Sequence, residues 1–105
     1  MDAKEAMLMK IREIPALYIG KPSLTLLCTF IDGYMYRQYE IYGDDHSDYK
    51  VSFQEYVQNY YNVSRTTDSC CMLILKNSLN EKDAFYKYFE LYDLYKAHFG
   101  CHKIK

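Results

Sequence analysis

The spacing of apolar residues predicts a long central helix. Apolar side chains recur every three or four positions from residue 24 onward, which is typical of a helix with one side in a core. These positions are Leu24, Leu27, Cys28, Ile31, Tyr34 and Met35, with Leu26, Phe30 and Gly33 widening the stripe. Ser23 is a suitable N-cap, and Gly43 is a suitable residue to end the helix. Because the stripe covers more than one face, we expect other helices to pack around it, with Gly33 allowing one to approach closely.

Further helices are predicted on both sides of this segment. The first runs from Asp2 to Glu13, and a turn over residues 15–22 follows, because proline disfavours helix in the residue before it. The polar residues 44–51 form a loop. Ser52 and Glu55 have the spacing of a capping box that opens a third helix, and the polar residues 62–67 end it.

The run Ser69–Asn77 is ambiguous by periodicity, since a short apolar segment fits a buried helix or a buried strand. Its Met, Leu and Lys residues favour helix, and no partner strand is evident elsewhere. A last helix begins at an Asn80 cap and ends at Gly100. The pattern therefore predicts an all-α fold, a compact bundle of about five helices in which residues 1–105 form a single domain.

Composition restricts the class of protein. The 105 residues carry a formal net charge of −1, which lacks the basic excess of a nucleic-acid-binding domain. No apolar run reaches the ~20 residues that span a bilayer, and the first residues do not resemble a signal peptide. We therefore expect a cytoplasmic protein whose cysteines are reduced, with Cys28 packing as a small apolar side chain. The 13 tyrosines suit a thin core edged by hydroxyls, or an interface.

Motifs for catalysis and for metal binding are missing. The sequence has no phosphate-binding glycine loop, no zinc-protease motif and no nucleophile elbow. Cys70 and Cys71 are adjacent, which is not the spacing of a redox pair or of a zinc site. His98, Cys101 and His102 lack a fourth ligand, and Gly100 interrupts their helix. We expect no enzyme activity, no metal and no cofactor.

Acidic and aromatic residues share one side of the central helix. Asp32, Tyr36 and Glu40 lie at positions i, i+4 and i+8, which face the same way on a helix. If the acidic residues that follow this helix converge with them, they form an acidic patch edged by tyrosines, which would complement a basic partner protein. The alternative is a solvated helix face followed by a polar loop. The candidate partner-binding residues are Asp32, Tyr36, Tyr39, Glu40, Asp44, Asp45 and Asp48.

The segment PALYIGKPSLTLLCTFIDGY resembles the opening signature of small bacterial immunity proteins of contact-dependent growth inhibition and related polymorphic toxin systems. The matching positions are Pro15, Tyr18, Gly20, Ser23, Leu24, Leu27, Phe30, Asp32, Gly33 and Tyr34. A second segment, Asp83–Tyr92, resembles a run near the end of such proteins. The resemblance implies a non-enzymatic protein that binds and neutralises the C-terminal domain of a cognate toxin, with a nuclease as one candidate. It implies no direct contact with nucleic acid or membrane. The alternative is an all-α structural or adaptor protein that self-associates, for example as a homodimer, through its tyrosines.

Overall fold

The structure is a computed structural model that describes residues 3–42 and 52–99, and these residues form helices without any strand. The elements in this part of the chain are α1 (Ala3–Glu13), α2 (Pro15–Ile19), α3 (Leu24–Tyr42), α4 (Phe53–Tyr60), α5 (Cys70–Lys76) and α6 (Glu81–Phe99). The predicted all-α bundle is confirmed, including the helical assignment of the ambiguous run. The predicted turn over residues 15–22 is wrong in its first half. Pro15 instead begins the short helix α2, because proline is well suited to the first helical position.

Helix α6, and not α3, organises the core. The buried residues of α6 are Ala84, Phe85, Tyr88, Phe89, Leu91, Tyr92 and Tyr95, whereas α3 contributes Leu24, Leu27 and Ile31. Helices α2, α5 and α6 pack against α3, as expected, but α3 is not the main source of buried side chains. The physical reason is that α6 buries a broad aromatic face, and aromatic side chains remove more apolar area from water than aliphatic ones.

The tyrosines of α6 pack as core residues. Phe53 of α4 lies edge-on against three of them, with centroid distances of 5.2 Å to Tyr88, 5.6 Å to Tyr92 and 5.4 Å to Tyr95. Edge-to-face contacts of this kind are favourable because the positive ring edge meets the negative ring face. Burial also raises the pKa of the Tyr88 hydroxyl. The interpretation of tyrosine as a core residue is confirmed for this cluster.

Local capping fixes where the later helices begin and end. Ser52 and Glu55 form the predicted capping box at the start of α4. Asn62 ends α4 in the left-handed conformation, at φ +60°, and the Val63 amide donates to the Gln58 carbonyl at 2.8 Å. Asn80 accepts from the Asp83 amide at 2.8 Å, as its predicted role as N-cap of α6 requires.

The expectation of reduced cysteines is wrong for one pair. Cys28 of α3 and Cys71 of α5 form a disulfide, with their Cα atoms 6.6 Å apart. Cys70 is a free thiol, and Cys101 lies outside the described residues. The spacing of cysteines along the chain does not reveal this pair, because the two residues meet only when α3 packs beside α5.

The role predicted for Gly33 is also wrong. Gly33 lies on the exposed side of α3, and a methyl group there would meet no atom within 4 Å. No other helix in residues 3–42 and 52–99 approaches it, so within this part of the chain the glycine is not a packing requirement.

None of the helices in residues 3–42 and 52–99 is both long enough and apolar enough to cross a membrane.

Candidate functional site

The structure places four of the predicted partner-binding residues together on the outer side of α3. Asp32, Tyr36, Tyr39 and Glu40 are all exposed, and we call them the α3 face. Tyr36 and Tyr39 expose 65% and 58% of their surface, which is high for aromatic side chains. The remaining predicted residues, Asp44, Asp45 and Asp48, lie outside the described residues.

The α3 face is free because the core does not extend along the whole helix. Ile31 is the last fully packed residue of α3, and Met35 is only partly buried against the core. Beyond Met35, every side chain of this helix that the structure describes is exposed; these are Tyr36, Arg37, Tyr39, Glu40 and Ile41. The last turns of α3 beyond Met35 therefore present exposed aromatic and apolar groups.

The acidic character of the α3 face is modest. Glu40 accepts from the Arg37 guanidinium at 3.4 Å, within the same helix, so one of the two carboxylates of the face is partly neutralised. Asp32 and Glu40 together with Arg37 carry a formal net charge of −1 (two acidic residues, one basic). The acidic patch predicted from the sequence depends mainly on residues 44, 45 and 48, so within the described residues the face is aromatic first and acidic second.

A carboxylate from α6 holds the opposite end of α3 in place. Glu81 accepts from the Thr25 amide at 2.9 Å, from the Thr25 hydroxyl at 2.6 Å and from the Ser23 hydroxyl at 3.1 Å. Ser23 in turn accepts from the Leu26 amide at 3.3 Å, as expected of an N-cap. The hydrogen bonds from Thr25 hold the pKa of Glu81 below its ordinary value. The start of α3 is thus fixed by residues distant in sequence.

A second surface lies on the outer side of α6, and the sequence analysis missed it. Two neighbouring cavities of 460 and 330 Å³ share Tyr86 and Glu90 in their walls. We call the α6 surface the set Leu79, Asp83, Tyr86, Glu90 and Leu94. The four members within α6 follow a helical spacing. This spacing is visible in the sequence, beside the more strongly apolar pattern of the buried stripe.

Ion pairs occupy part of the α6 surface. Arg12 of α1 donates to both carboxylate oxygens of Asp93, at 3.0 and 2.8 Å, and its guanidinium lies 5.3 Å from the centroid of the Phe89 ring. Lys87 donates to Glu90 at 3.2 Å. Because Glu90 and the neighbouring Asp93 already have partners, the α6 surface has less unbalanced charge to attract a partner than its two acidic residues suggest.

The described part of the chain holds few groups suited to chemistry. No cluster of three histidine, cysteine or acidic side chains in residues 3–42 and 52–99 is arranged to bind a metal ion. His98 lies 2.9 Å from the Leu94 carbonyl through its Nδ1 atom, while Cys101 and His102 are outside the described residues. Burial raises the pKa of the Cys70 thiol, so this cysteine is a weak nucleophile at neutral pH.

Comparison with known proteins adds no relative. The chain matches no family model, and no curated protein or solved structure matches it significantly. Its function is therefore inferred from its own residues, their geometry and the resemblance of its opening segment.

Proposed function

We propose that this protein is an immunity protein that binds and neutralises a cognate toxin domain through the α3 face, without being an enzyme. The observation that carries the proposal is the pair of exposed tyrosines, Tyr36 and Tyr39, on the end of α3, where every side chain that the structure describes beyond Met35 is exposed. Tyrosine is enriched at the centre of protein interfaces because its large ring loses little conformational entropy on binding. The resemblance of the opening segment to immunity proteins supports the same class.

The chemistry of the α3 face favours a partner with a cationic, partly apolar site. Rings such as Tyr36 provide the apolar anchor, while Asp32 and Glu40 pair with basic side chains of the partner. A nuclease domain fits this description, since cleaving a polyanion requires cationic residues around the active site. Binding there would exclude the nucleic acid, so the immunity protein itself needs no contact with nucleic acid. Binding beside the active site is the other mechanism compatible with this face.

The cytoplasmic location expected from the sequence belongs to this proposal, because a toxin that cleaves nucleic acid acts in the cytoplasm. The Cys28–Cys71 disulfide bears on the location, since disulfides persist mainly in oxidising compartments. Its behaviour under reducing conditions therefore matters for function.

The direct test is to identify the coding region directly upstream of the gene of this protein, to express its C-terminal domain as the candidate toxin, and to titrate this protein against it. We expect titration calorimetry to show tight one-to-one binding, and we expect the toxin activity to disappear at equal concentrations. Absence of binding to that domain would contradict the proposal.

The contribution of the α3 face is tested with a pair of matched tyrosine variants. Tyr36→Ala is expected to weaken binding by at least about 2 kcal/mol, which is roughly 30-fold in Kd, because it removes an anchor residue. Tyr86→Ala is the control, since Tyr86 is also about half exposed, at 49%, but lies on the α6 surface. Equal losses in both variants, or a loss only in Tyr86→Ala, would place the interface elsewhere.

Self-association is the second candidate function. The observation that favours it is the exposure of large aliphatic side chains away from the α3 face, at 68% for Leu17 and 91% for Leu79. Large exposed apolar side chains are candidates for contacts between copies of the protein where they lie together. Light scattering on the purified protein tests this candidate directly, because a stable homodimer would support it and a monomer at high concentration would rule it out.

A further inference from the structure

The Cys28–Cys71 disulfide lies at the base of the α3 face. Cys28 is one helical turn before Asp32, the first residue of the face, and Cys71 is in the first turn of α5. The bond therefore ties the second turn of α3 to a cysteine that lies 43 residues further along the chain, in α5. A crosslink between residues this far apart in sequence reduces the number of conformations available to the unfolded chain.

Few buried residues anchor α5 and the second half of α3 besides this bond. Helix α5 has seven residues, and a helix this short is unstable without tertiary contacts. It is held by the buried Leu73 and Ile74 and by a 2.6 Å hydrogen bond from the Cys70 amide to Gln54. After Ile31, no described residue of α3 is fully buried. The disulfide at Cys28 and the buried Ile31 are thus the last strong attachments of α3 before the face.

The bond is accessible to a reductant. Cys28 and Cys71 are both only partly buried, so the bond lies near the surface of the protein, where a small dithiol approaches it. The free thiol of Cys70 is next to Cys71 in the chain, but burial raises its pKa. Thiol–disulfide exchange requires a thiolate, so Cys70 does not readily attack the neighbouring bond. The pair therefore responds to external thiols and is protected from internal rearrangement.

We propose that the Cys28–Cys71 bond is a redox-sensitive clip that a dithiol reductant opens, and that its state sets how well ordered the α3 face is. A thiolate of the dithiol attacks one cysteine sulfur and forms a mixed disulfide, and the other cysteine leaves as a thiolate that takes up a proton. The second thiol of the reductant then closes its own disulfide and releases the first cysteine. The protein gains two electrons and two protons, and the dithiol is oxidised to a cyclic disulfide. Any effect on partner binding rests on the proposed function.

Hydrogen exchange measured by mass spectrometry tests the clip on the full chain, with and without excess dithiothreitol. Reduction is expected to increase amide exchange roughly tenfold or more in residues 32–42 and 70–76, and to leave the buried part of α6 unchanged. The double variant Cys28→Ala/Cys71→Ala is expected to exchange like the reduced protein and to ignore the reductant. Cys70→Ala is the matched control and is expected to respond like the unmodified chain.

Three results would overturn the clip. The first is alkylation of Cys28 and Cys71 in the oxidised protein, identified by peptide mapping, because the bond would then not form. The second is unchanged exchange on reduction. The third is an increase throughout α6, which would make the bond a general structural crosslink. None of these measurements involves a toxin, so a result that overturns the clip does not by itself contradict the proposed function. If the toxin domain binds equally well in both redox states, the clip does not act on binding.

Discussion

Glu81 shows how one residue joins two helices at the residue scale. It is the first residue of α6, yet its carboxylate accepts three hydrogen bonds from Ser23 and Thr25 at the start of α3. The amide groups in the first turn of a helix have no partner within the helix, and the positive end of the helix dipole lies there. An ionised carboxylate accepts hydrogen bonds from these amide groups and interacts favourably with the dipole. For this reason the pKa of Glu81 is lowered in the folded protein.

Glu81→Gln is therefore expected to lower the free energy of unfolding at pH 7 by about 1 kcal/mol, the usual cost of losing a cap. In the unfolded chain the pKa of this carboxyl group is about 4.3. Because folding lowers this pKa, the stabilisation is complete above that value and is lost as the pH falls through the lower folded pKa. Urea unfolding between pH 7 and pH 3 should thus show a smaller acid-dependent loss in the variant than in the unmodified protein.

Asp83→Asn is the control for this measurement, since it removes a carboxylate from the same first turn of α6 but on its outer side. An equal change in acid sensitivity in both variants would mean that the contact with α3 is not its source.

The two glycines near α3 are expected to respond in opposite ways to alanine. Gly33 has a helical position with open space around it, so Gly33→Ala should raise the free energy of unfolding by up to about 1 kcal/mol. Gly20 ends α2 with φ +91°, which an alanine adopts only with strain, so Gly20→Ala should be destabilising. Urea denaturation of both variants checks the prediction. Destabilisation by Gly33→Ala would show that this position has a close neighbour after all.

The division of the core between helices is the main result at the scale of elements. The sequence correctly places the apolar stripe of α3. However, the part of the stripe that is buried is shorter than the stripe itself and ends at Ile31. Phe30 belongs to the stripe and is only partly buried, whereas Phe85 and Phe89 of α6 are essentially inaccessible to solvent. Periodicity gives the direction that a side chain faces, and it does not give the extent of the neighbouring helix that covers it.

Phe85→Ala is accordingly expected to cost about 3–5 kcal/mol of unfolding free energy, because it leaves a cavity in the core. Phe30→Ala should cost clearly less, since part of its ring is already in contact with water. If Phe85→Ala does not fold, Phe85→Leu offers a milder comparison. Urea unfolding monitored by circular dichroism measures all three, and a larger loss for Phe30→Ala would return the centre of the core to α3.

Helix boundaries were more predictable than helix packing. Ser52, Asn80 and Ser69 act as caps through hydrogen bonds that reach only three residues along the chain. Such contacts depend on local sequence, so a local pattern is enough to find them. The sequence predicts a turn where α2 forms, because a proline can end a helix. Pro15 is equally suited to begin a helix, and it is the first residue of α2.

At the scale of the whole molecule, the weak net charge leaves recognition to a local distribution of charge. The chain carries a formal charge of −1, so attraction of a basic partner depends on where the acidic residues lie. Asp32 is on the α3 face and Asp83 is on the α6 surface, and both are exposed. They provide a pair of sites with the same charge at different positions.

Under the proposed function, Asp32→Lys is expected to slow association with the toxin domain and to reduce the dependence of the association rate on salt. Asp83→Lys changes the net charge by the same amount and is expected to have a much smaller effect. Stopped-flow measurements at several ionic strengths compare the two variants. Similar effects would show that only the total charge matters and that the α3 face does not direct the encounter.

The sequence by itself determined the helical class, most helix ends and the exposed side of α3, because each depends on residues within one or two turns of each other. It also contained the resemblance on which the proposed function partly rests. The tertiary structure alone decided that α6 provides most of the core, that Glu81 caps α3, that Gly33 has no close neighbour and that Cys28 pairs with Cys71. These features join residues far apart in the chain. Their positions follow from how whole helices pack, which no local pattern of residues specifies.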